Sequence, residues 1–581
     1  MNKEKLLGSI IPPIDQLGFS VLVSEVLDEP ILGAFVGVNY KRGDQEGILI
    51  GKVLDFEVVN DLSEYLSLAK GIQSFASNEQ VQRIVERKSA LILKCQVVSA
   101  LDSVEGNRIP YDAPIRPFAP AFRIDEKELN KLLGGNRFFH IGHHYGGQLL
   151  HHLYLQDFKN LDEAYHFVLA GLSGSGKSTL AKLLLVGYAR HPEMRFLIFD
   201  TAGEFSRAFS DQRTGKFTLK LRSLWKWLGR KDPLILDLDN LVFDRWEHLR
   251  EILKREKVFA QPFISRADYE SRAVDYLIQE LEGGDVKLAK LSSAEKKVKD
   301  VLTKEDFVRS VYTGADHQKR LRGEVERSWN TLWNRLKKVF EKFERQSGRY
   351  TFRNLAKTVL EQRGTTVVLN LSKMGWEDPL KYLLIRTAVE WLHREAMKKY
   401  WETGRAELDT LVVIEEAHRL VPPSTWVKDN EDLARTRRIV LQGLTETRKA
   451  GLGWMLISTR LGNLDRRVFD EARIKIIGWG LSTGEDADRI RDSFGREALT
   501  YYSGLPDPSD PLSNRRQHVF MISGPITVLS KRTPEFVEIF DGPEKFLREN
   551  GLEHAESDKS DPTPGSAQGV EELPNEDDLP V

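Results

Sequence analysis

Apolar positions along this chain fall into three patterns, and each predicts a different kind of element. Short apolar runs bounded by Gly, Pro or Asp recur at Tyr165–Ala170, Arg195–Asp200, Pro233–Leu238, Thr366–Leu371, Leu411–Ile414, Gly453–Ser458, Lys475–Gly480 and Gln517–Ile522. Strands that are apolar on both faces belong in a sheet covered by helices on both sides, so these runs predict a doubly wound α/β sheet. From about Asn240 to Arg345 the period changes. Val325, Trp329, Leu332, Leu336, Val339 and Phe340 form a stripe at i+3 and i+4 spacing, which predicts helix and a helical insertion into the sheet domain. The third pattern lies at the N-terminus, where Gly18–Val23, Ile31–Val38, Gly47–Val59 and Ala90–Val98 are strand-like, with turn chemistry at Lys41-Arg42-Gly43-Asp44. Pro110, Pro114, Pro117 and Pro120 then space out a connector, and the core starts near Phe138.

These patterns predict a β domain over residues 1–125, a core in two parts (126–240 and 346–540) around an insertion at 241–345, and an extension at 541–581. Hydrophobic content of 41% with 29% charged residues is that of a globular protein in water. There is no run of 18 uncharged apolar residues, and Met1-Asn2-Lys3-Glu4-Lys5 does not open a signal peptide, so the expectation is a cytoplasmic protein without a membrane contact. Cys95 is the only cysteine, which excludes an internal disulfide and a cysteine-based zinc site. The net charge of −1 hides an asymmetry: Glu553–Val581 carries nine acids against Lys559, leaving the body at +7. That acidic segment, rich in Pro, Ser and Gly, is expected to be disordered.

Candidate chemistry is concentrated after the run Tyr165–Ala170. Gly171-Leu172-Ser173-Gly174-Ser175-Gly176-Lys177-Ser178 fits G-x-x-x-x-G-K-[ST], and from Lys177 the run Ser178–Val186 reads as a helix with an apolar stripe. A strand, a glycine loop and a helix N-terminus in series make an anion site, because bare N–H groups and the helix dipole point at the phosphates. Gly171, Ser173, Gly174, Ser175, Gly176, Lys177, Ser178 and Thr179 are the candidate ATP-binding residues. Lys177 would reach the β/γ oxygens, and the Ser178 hydroxyl would go to Mg²⁺.

A second motif, Leu411-Val412-Val413-Ile414-Glu415-Glu416-Ala417-His418, ends a buried strand in two carboxylates. Ligands of open α/β sheets bind at that end. Glu415 would hold Mg²⁺ directly or through water, and Glu416 would polarise the water that attacks the γ-phosphate. Asp200, ending its own run, faces the same sheet edge, in either a site-shaping or a supporting role. Arg435, Arg437 and Arg438 form a basic cluster that reads either as a phosphate-backbone contact for DNA or as a solvated helix face.

In order along the chain, the β domain, the glycine loop, Asp200-x-x-Gly203-Glu204-Phe205, the insertion, Ile414-Glu415-Glu416-Ala417-His418 and Thr447-Arg448-Lys449-Ala450-Gly451 resemble HerA-type ATPases of the HerA/FtsK branch of RecA-like motors. The resemblance covers roughly residues 10–540. It implies a RecA-like P-loop core, an N-terminal HAS-barrel-like β-barrel, and a homo-hexameric ring around double-stranded DNA. It also implies a partner nuclease such as NurA in DNA-end processing, or another effector in anti-phage defence. Arg448 matches the family's Arg-Lys-x-Gly position and is the first choice for an arginine finger, with Arg460 second. Two departures stand out: Thr459 replaces the glutamine of the family's Ser-Gln-Arg, and Tyr165 replaces a frequent arginine.

Overall fold

The computed structural model describes residues 6–14, 18–23, 31, 33–59, 90–102, 108–133, 138–147, 149–212, 217–284, 286–344, 350–428, 430–512, 516–529 and 533–556. The acidic tail expected to be disordered lies outside them from residue 557 on, as does the expected insertion boundary at 345.

Six N-terminal strands, β1 (Leu6–Ile14), β2 (Gly18–Val23), β3 (Phe35–Arg42), β4 (Gln45–Val59), β5 (Ala90–Asp102) and β6 (Pro120–Arg123), close into a barrel in the order β1-β2-β5-β4-β3-β6. Alternation along them sends Ile10, Val21, Val36, Val38, Leu49, Val53 and Leu93 into one buried cluster. The β3–β4 hairpin turns through Gly43 at φ +60°, within the expected turn. The sequence pattern missed β1 and β6, the two strands that close the barrel. Pro12 and Pro13 interrupt β1, and β6 opens on Pro120, so both read as connector.

The remaining strands are β7 (Phe139–His144), β8 (Leu150–Leu153), β9 (Phe167–Ala170), β10 (Arg195–Asp200), β11 (Leu234–Leu236), β12 (Thr366–Asn370), β13 (Thr410–Ile414), β14 (Leu452–Ser458), β15 (Ile474–Gly478), β16 (Val519–Ser523) and β17 (Glu535–Ile539). They make one sheet in the order β11-β12-β10-β13-β14-β9-β15-β16-β17-β7-β8. Pairing is parallel from β11 to β15 and antiparallel beyond. The parallel strands are buried on both faces, as their unbroken apolar runs require. Leu197, Phe199, Val412, Ile414, Trp454 and Leu456 face one core, while Phe196, Ile198, Leu411, Val413, Met455 and Ile457 face the other.

The helical insertion enters between β11 and β12, with helices from Trp246–Arg255 to Phe352–Glu361. The expected stripe is buried but belongs to two helices, Ala315–Arg327 and Trp329–Glu344, because Ser328 leaves helical geometry at φ −109°, ψ 24°. Barrel and core meet along a seam where Arg108 Nη2 donates to the Thr527 carbonyl at 2.9 Å and Phe35 stacks edge-on against His144 at 4.6 Å. The long helix Gly484–Ser503 runs from the phosphate-loop edge of the sheet toward this seam and breaks at Gly495, φ +87°. Among the described residues no helix is long and apolar enough to cross a membrane.

Candidate nucleotide site

β9 delivers the chain into the glycine loop, and Lys177 opens the helix Lys177–Ala189. Two glycines are sterically required. A Cβ on Gly171, at φ +156°, would lie 2.7 Å from Ser175 Oγ and 3.1 Å from Gly478 Cα. On Gly176, at φ +94°, it would meet the His518 ring at 3.1 Å. Ser173 and Gly174 are exposed at the tip, Ser178 and Thr179 are half-buried, and Ser175 is buried with its hydroxyl unpartnered. Lys177 Nζ folds back on the loop, donating to the Gly171 carbonyl at 2.7 Å and the Leu172 carbonyl at 3.0 Å. Burial lowers its pKa, against the charges of Glu416 and Glu204.

Strand order brings the two motifs together. β14 lies between β9 and β13 and pairs with both in parallel, so the loop and the Glu415-Glu416 pair leave the same sheet edge two strand spacings apart, about 10 Å. Glu415 turns inward and is 4% exposed. Its Oε2 accepts from Thr201 N at 3.2 Å and Ala202 N at 3.3 Å. Burial, then the neighbouring Asp200, pushes its carboxyl well above the usual range. Asp200 is fully buried, with Oδ2 accepting from Ser206 N at 2.6 Å and Oδ1 unpartnered.

Glu416 turns outward into a left-handed conformation, φ 52°, ψ 38°, rare for a residue with a Cβ. His418 stands between it and β14: Nε2 is 3.5 Å from Glu416 Oε2, and Nδ1 is 3.5 Å from Ser458 Oγ. Burial pushes the His418 pKa down to about 4, with Arg419 and Lys177 adding to the shift, so the ring is neutral near pH 7 and carries one N–H. Thr459 and Arg460 follow Ser458 at the same edge, and Arg460 Nη1 pairs with Asp486 Oδ2 at 3.2 Å.

The donor set fits a magnesium-bound triphosphate. Mg²⁺ takes hard oxygen ligands, one or two carboxylates and a hydroxyl beside the phosphates themselves, rather than a cage of protein groups. Ser178, Glu415 and the unpartnered Asp200 Oδ1 supply such oxygens at one edge, and among the described residues no three-residue metal cluster competes with them. Bound there, the cation would neutralise charge developing on the phosphate oxygens.

Other expected residues lie elsewhere. Arg448 sits before β14, at the opposite edge of the sheet from its own chain's loop, with Nη1 3.6 Å from Glu163 Oε2 and its carbonyl accepting from Ala164 N. Tyr165 is at that far edge too, its ring 5.8 Å from the Arg473 guanidinium. The basic cluster is not uniform: Arg437 is held by Asp465 and by the Pro422 carbonyl, Arg435 pairs with Glu247 at 2.9 Å, and Arg438 is exposed. Sequence reasoning did not single out His518, which packs on the loop from the residue before β16, nor a bridging role for His418. A lone histidine ahead of an apolar strand carries no signal of its neighbour. His418 was visible only as a letter of the Glu-Glu-Ala-His motif.

A parallel sheet with a phosphate loop after one strand, paired acids after another and a third strand between them defines a RecA-like P-loop ATPase. Residues 160–389 match the family model of the helicase HerA central domain, and the chain is a P-loop ATP hydrolase similar over that stretch to the HerA type. No curated protein matches the sequence. Among solved structures it is similar to the genome packaging NTPase B204 from Sulfolobus turreted icosahedral virus 2 in complex with ATP-gammaS, at 12% identity over 66% of this chain and 99% of that one, TM-score 0.27. It is also similar to the plasmid coupling protein TrwB in complex with GDPNP (15%, 72% and 93%, TM-score 0.35) and to VirB4 of Thermoanaerobacter pseudethanolicus (14%, 70% and 97%, TM-score 0.32). At such scores the assignment rests on the family match and on the site's own residues.

Proposed function

We propose that this chain is the subunit of a homo-hexameric ring that hydrolyses ATP to move along double-stranded DNA. In this reading it serves a partner nuclease of the NurA kind, or another effector, in DNA-end processing or phage defence. The observation that carries it is the convergence of Lys177, Glu415, Glu416 and the end of β14 on one sheet edge. Lys177 leaves its own loop's carbonyls for the β/γ oxygens of ATP. Glu416 accepts the proton of the attacking water, with His418 fixing the carboxylate. Glu415, directly or through water, and Ser178 would hold Mg²⁺. Arg448, one-third exposed at the far edge of its own sheet, would serve a neighbour's site rather than its own in a ring with shared sites. Arg460 is the finger's alternative, and Arg435 and Arg438 would face DNA, whereas Arg437 is committed to Asp465.

The test is ATPase activity with linear duplex DNA. Turnover is expected to rise with duplex and to vanish in Lys177→Ala and Glu416→Gln. Hydrolysis indifferent to any DNA, with no duplex binding at low salt, would overturn the reading. Thr459 favours a second one: with a short hydroxyl where the family places an amide, the ring would act as an ATP-gated scaffold that assembles and switches its effector with little movement. Such a scaffold would still assemble its partner with ATP in Glu416→Gln and would show no strand displacement.

A further inference from the structure

The seam between barrel and core encloses a cavity of about 250 Å³ that plays no part in the nucleotide site. Phe35 and Lys52 line it from the barrel, Arg496 and Tyr501 from the helix Gly484–Ser503, and Glu535 and Phe536 from β17. Lys52 is 5% exposed, and its Nζ has no hydrogen-bond partner. The ammonium lies 5.5 Å from the Phe536 ring centre and 5.9 Å from that of Tyr501, and these two rings meet edge to face at 4.5 Å. Ring faces offset only part of what a desolvated ammonium loses in hydrogen bonds to water. Packing alone gives no reason for the charge, since a methionine would fill the same wall without it. Burial pushes the Lys52 pKa down to about 8, with the Glu535 charge opposing. Glu535 itself is engaged, its Oε2 2.7 Å from His151 Nε2.

We propose that this cavity binds a small organic carboxylate with a flat apolar body, the Lys52 ammonium swinging off the two rings to meet the carboxylate and the body lying against Phe35, Tyr501 and Phe536. The volume lies below the range of about 300–1,000 Å³ usual for pockets that take drug-sized ligands, which limits the occupant to a small molecule. Its charge follows from the lining. Two cations, Lys52 and Arg496, are balanced by two acids, Glu535 and Glu497, so the lining leaves no net positive charge for a phosphate dianion, and one carboxylate on the unpartnered ammonium is the most it accommodates.

Benzoate, phenyl phosphate and benzamide distinguish the alternatives, titrated into the full chain with the nucleotide site saturated by ADP and followed by ligand-observed NMR. Benzoate is expected to bind saturably, benzamide and phenyl phosphate more weakly. Lys52→Met is expected to lose about tenfold or more in affinity, the scale of one hydrogen bond to a charged group, while Lys52→Arg retains binding. Saturable benzoate binding that is unchanged in Lys52→Met, benzamide binding as tightly as benzoate, or no saturable binding at all would overturn the proposal. If Lys52→Met does not fold, Tyr501→Leu replaces it, with the same loss expected and unchanged affinity refuting the site.

Discussion

Glu416 combines a proposed catalytic role with an unfavourable backbone, and the two can be separated by substitution. At φ 52°, ψ 38° its Cβ crowds the following carbonyl, a conformation that costs a residue with a side chain about 1–2 kcal/mol relative to the right-handed region. Glu416→Ala keeps the Cβ and therefore the strain; Glu416→Gly removes it. Glycine also loosens the unfolded chain, which takes back about 0.4–1 kcal/mol. The glycine variant should therefore be more stable than the alanine variant by roughly 0.5–1 kcal/mol. Urea unfolding followed by tryptophan fluorescence reads this, since Trp225 and Trp454 are fully buried in the two cores flanking the sheet. Both variants lack the carboxylate proposed to accept the water's proton, so both should bind ATP and fail to turn it over. A glycine variant no more stable than the alanine one would refute the strain argument, and residual turnover in either would refute the role given to Glu416.

Other consequences are as direct. Burial holds His166 at about 4 and His152 and His248 at about 3, and keeps His144 well below its usual value. The unfolded chain takes up protons at these rings below about pH 6.5 while the native chain does not, so stability present above 6.5 falls toward pH 4, by about 1.4 kcal/mol per pH unit for each histidine. Urea midpoints measured at pH 7, 6 and 5 would check this, and a flat profile would contradict it. Arg437→Ala should destabilise the fold by about 1–3 kcal/mol, read as a lower urea midpoint, because the buried Asp465 loses one guanidinium partner while keeping Arg467, whose Nε lies 3.2 Å from Oδ1. Arg438→Ala should leave stability unchanged and, if this face meets DNA, lower the salt slope of duplex binding by about one. Gly453→Ala would place a Cβ 2.6 Å from Phe158 and 2.7 Å from the Tyr165 carbonyl, and the overpacking should cost about 1–3 kcal/mol, visible as a lower melting temperature.

The parts of the fold legible in the sequence are those where one physical requirement writes itself into a short run. β9, β10, β12, β13 and β14 must be apolar on both faces, and each was expected to within two residues. The glycine loop was legible because backbone approach to phosphate excludes side chains at fixed spacing. β7 and β8, as Phe139–His144 and Leu150–Leu153, escaped because histidine fills positions where a strand signal needs valine or isoleucine; there the rings are buried by stacking and by Glu535, which is remote in sequence. The break at Ser328 was hidden because the i+3/i+4 stripe continues across it. Arg437 read as part of a basic surface because its acid, Asp465, is 28 residues away. Pairing across the fold is written in no local pattern.

The helix Gly484–Ser503, broken at Gly495, links the nucleotide-site edge of the sheet to the barrel seam. Near its start Asp486 holds both Arg460 and the Gly462 amide, immediately beyond the strand that separates the loop from the acids. Near its end Tyr502 bridges the Gly478 carbonyl and the Leu481 amide, and Tyr501 lies under the barrel's lysine. With Gly495 as the one interruption in helical geometry along it, any tilt of the first half must either flex that joint or swing the barrel. At φ +87°, ψ 168° that joint accepts only glycine without strain, so an ordinary residue there would reset the angle between the two halves and shift the cap against the fuel site.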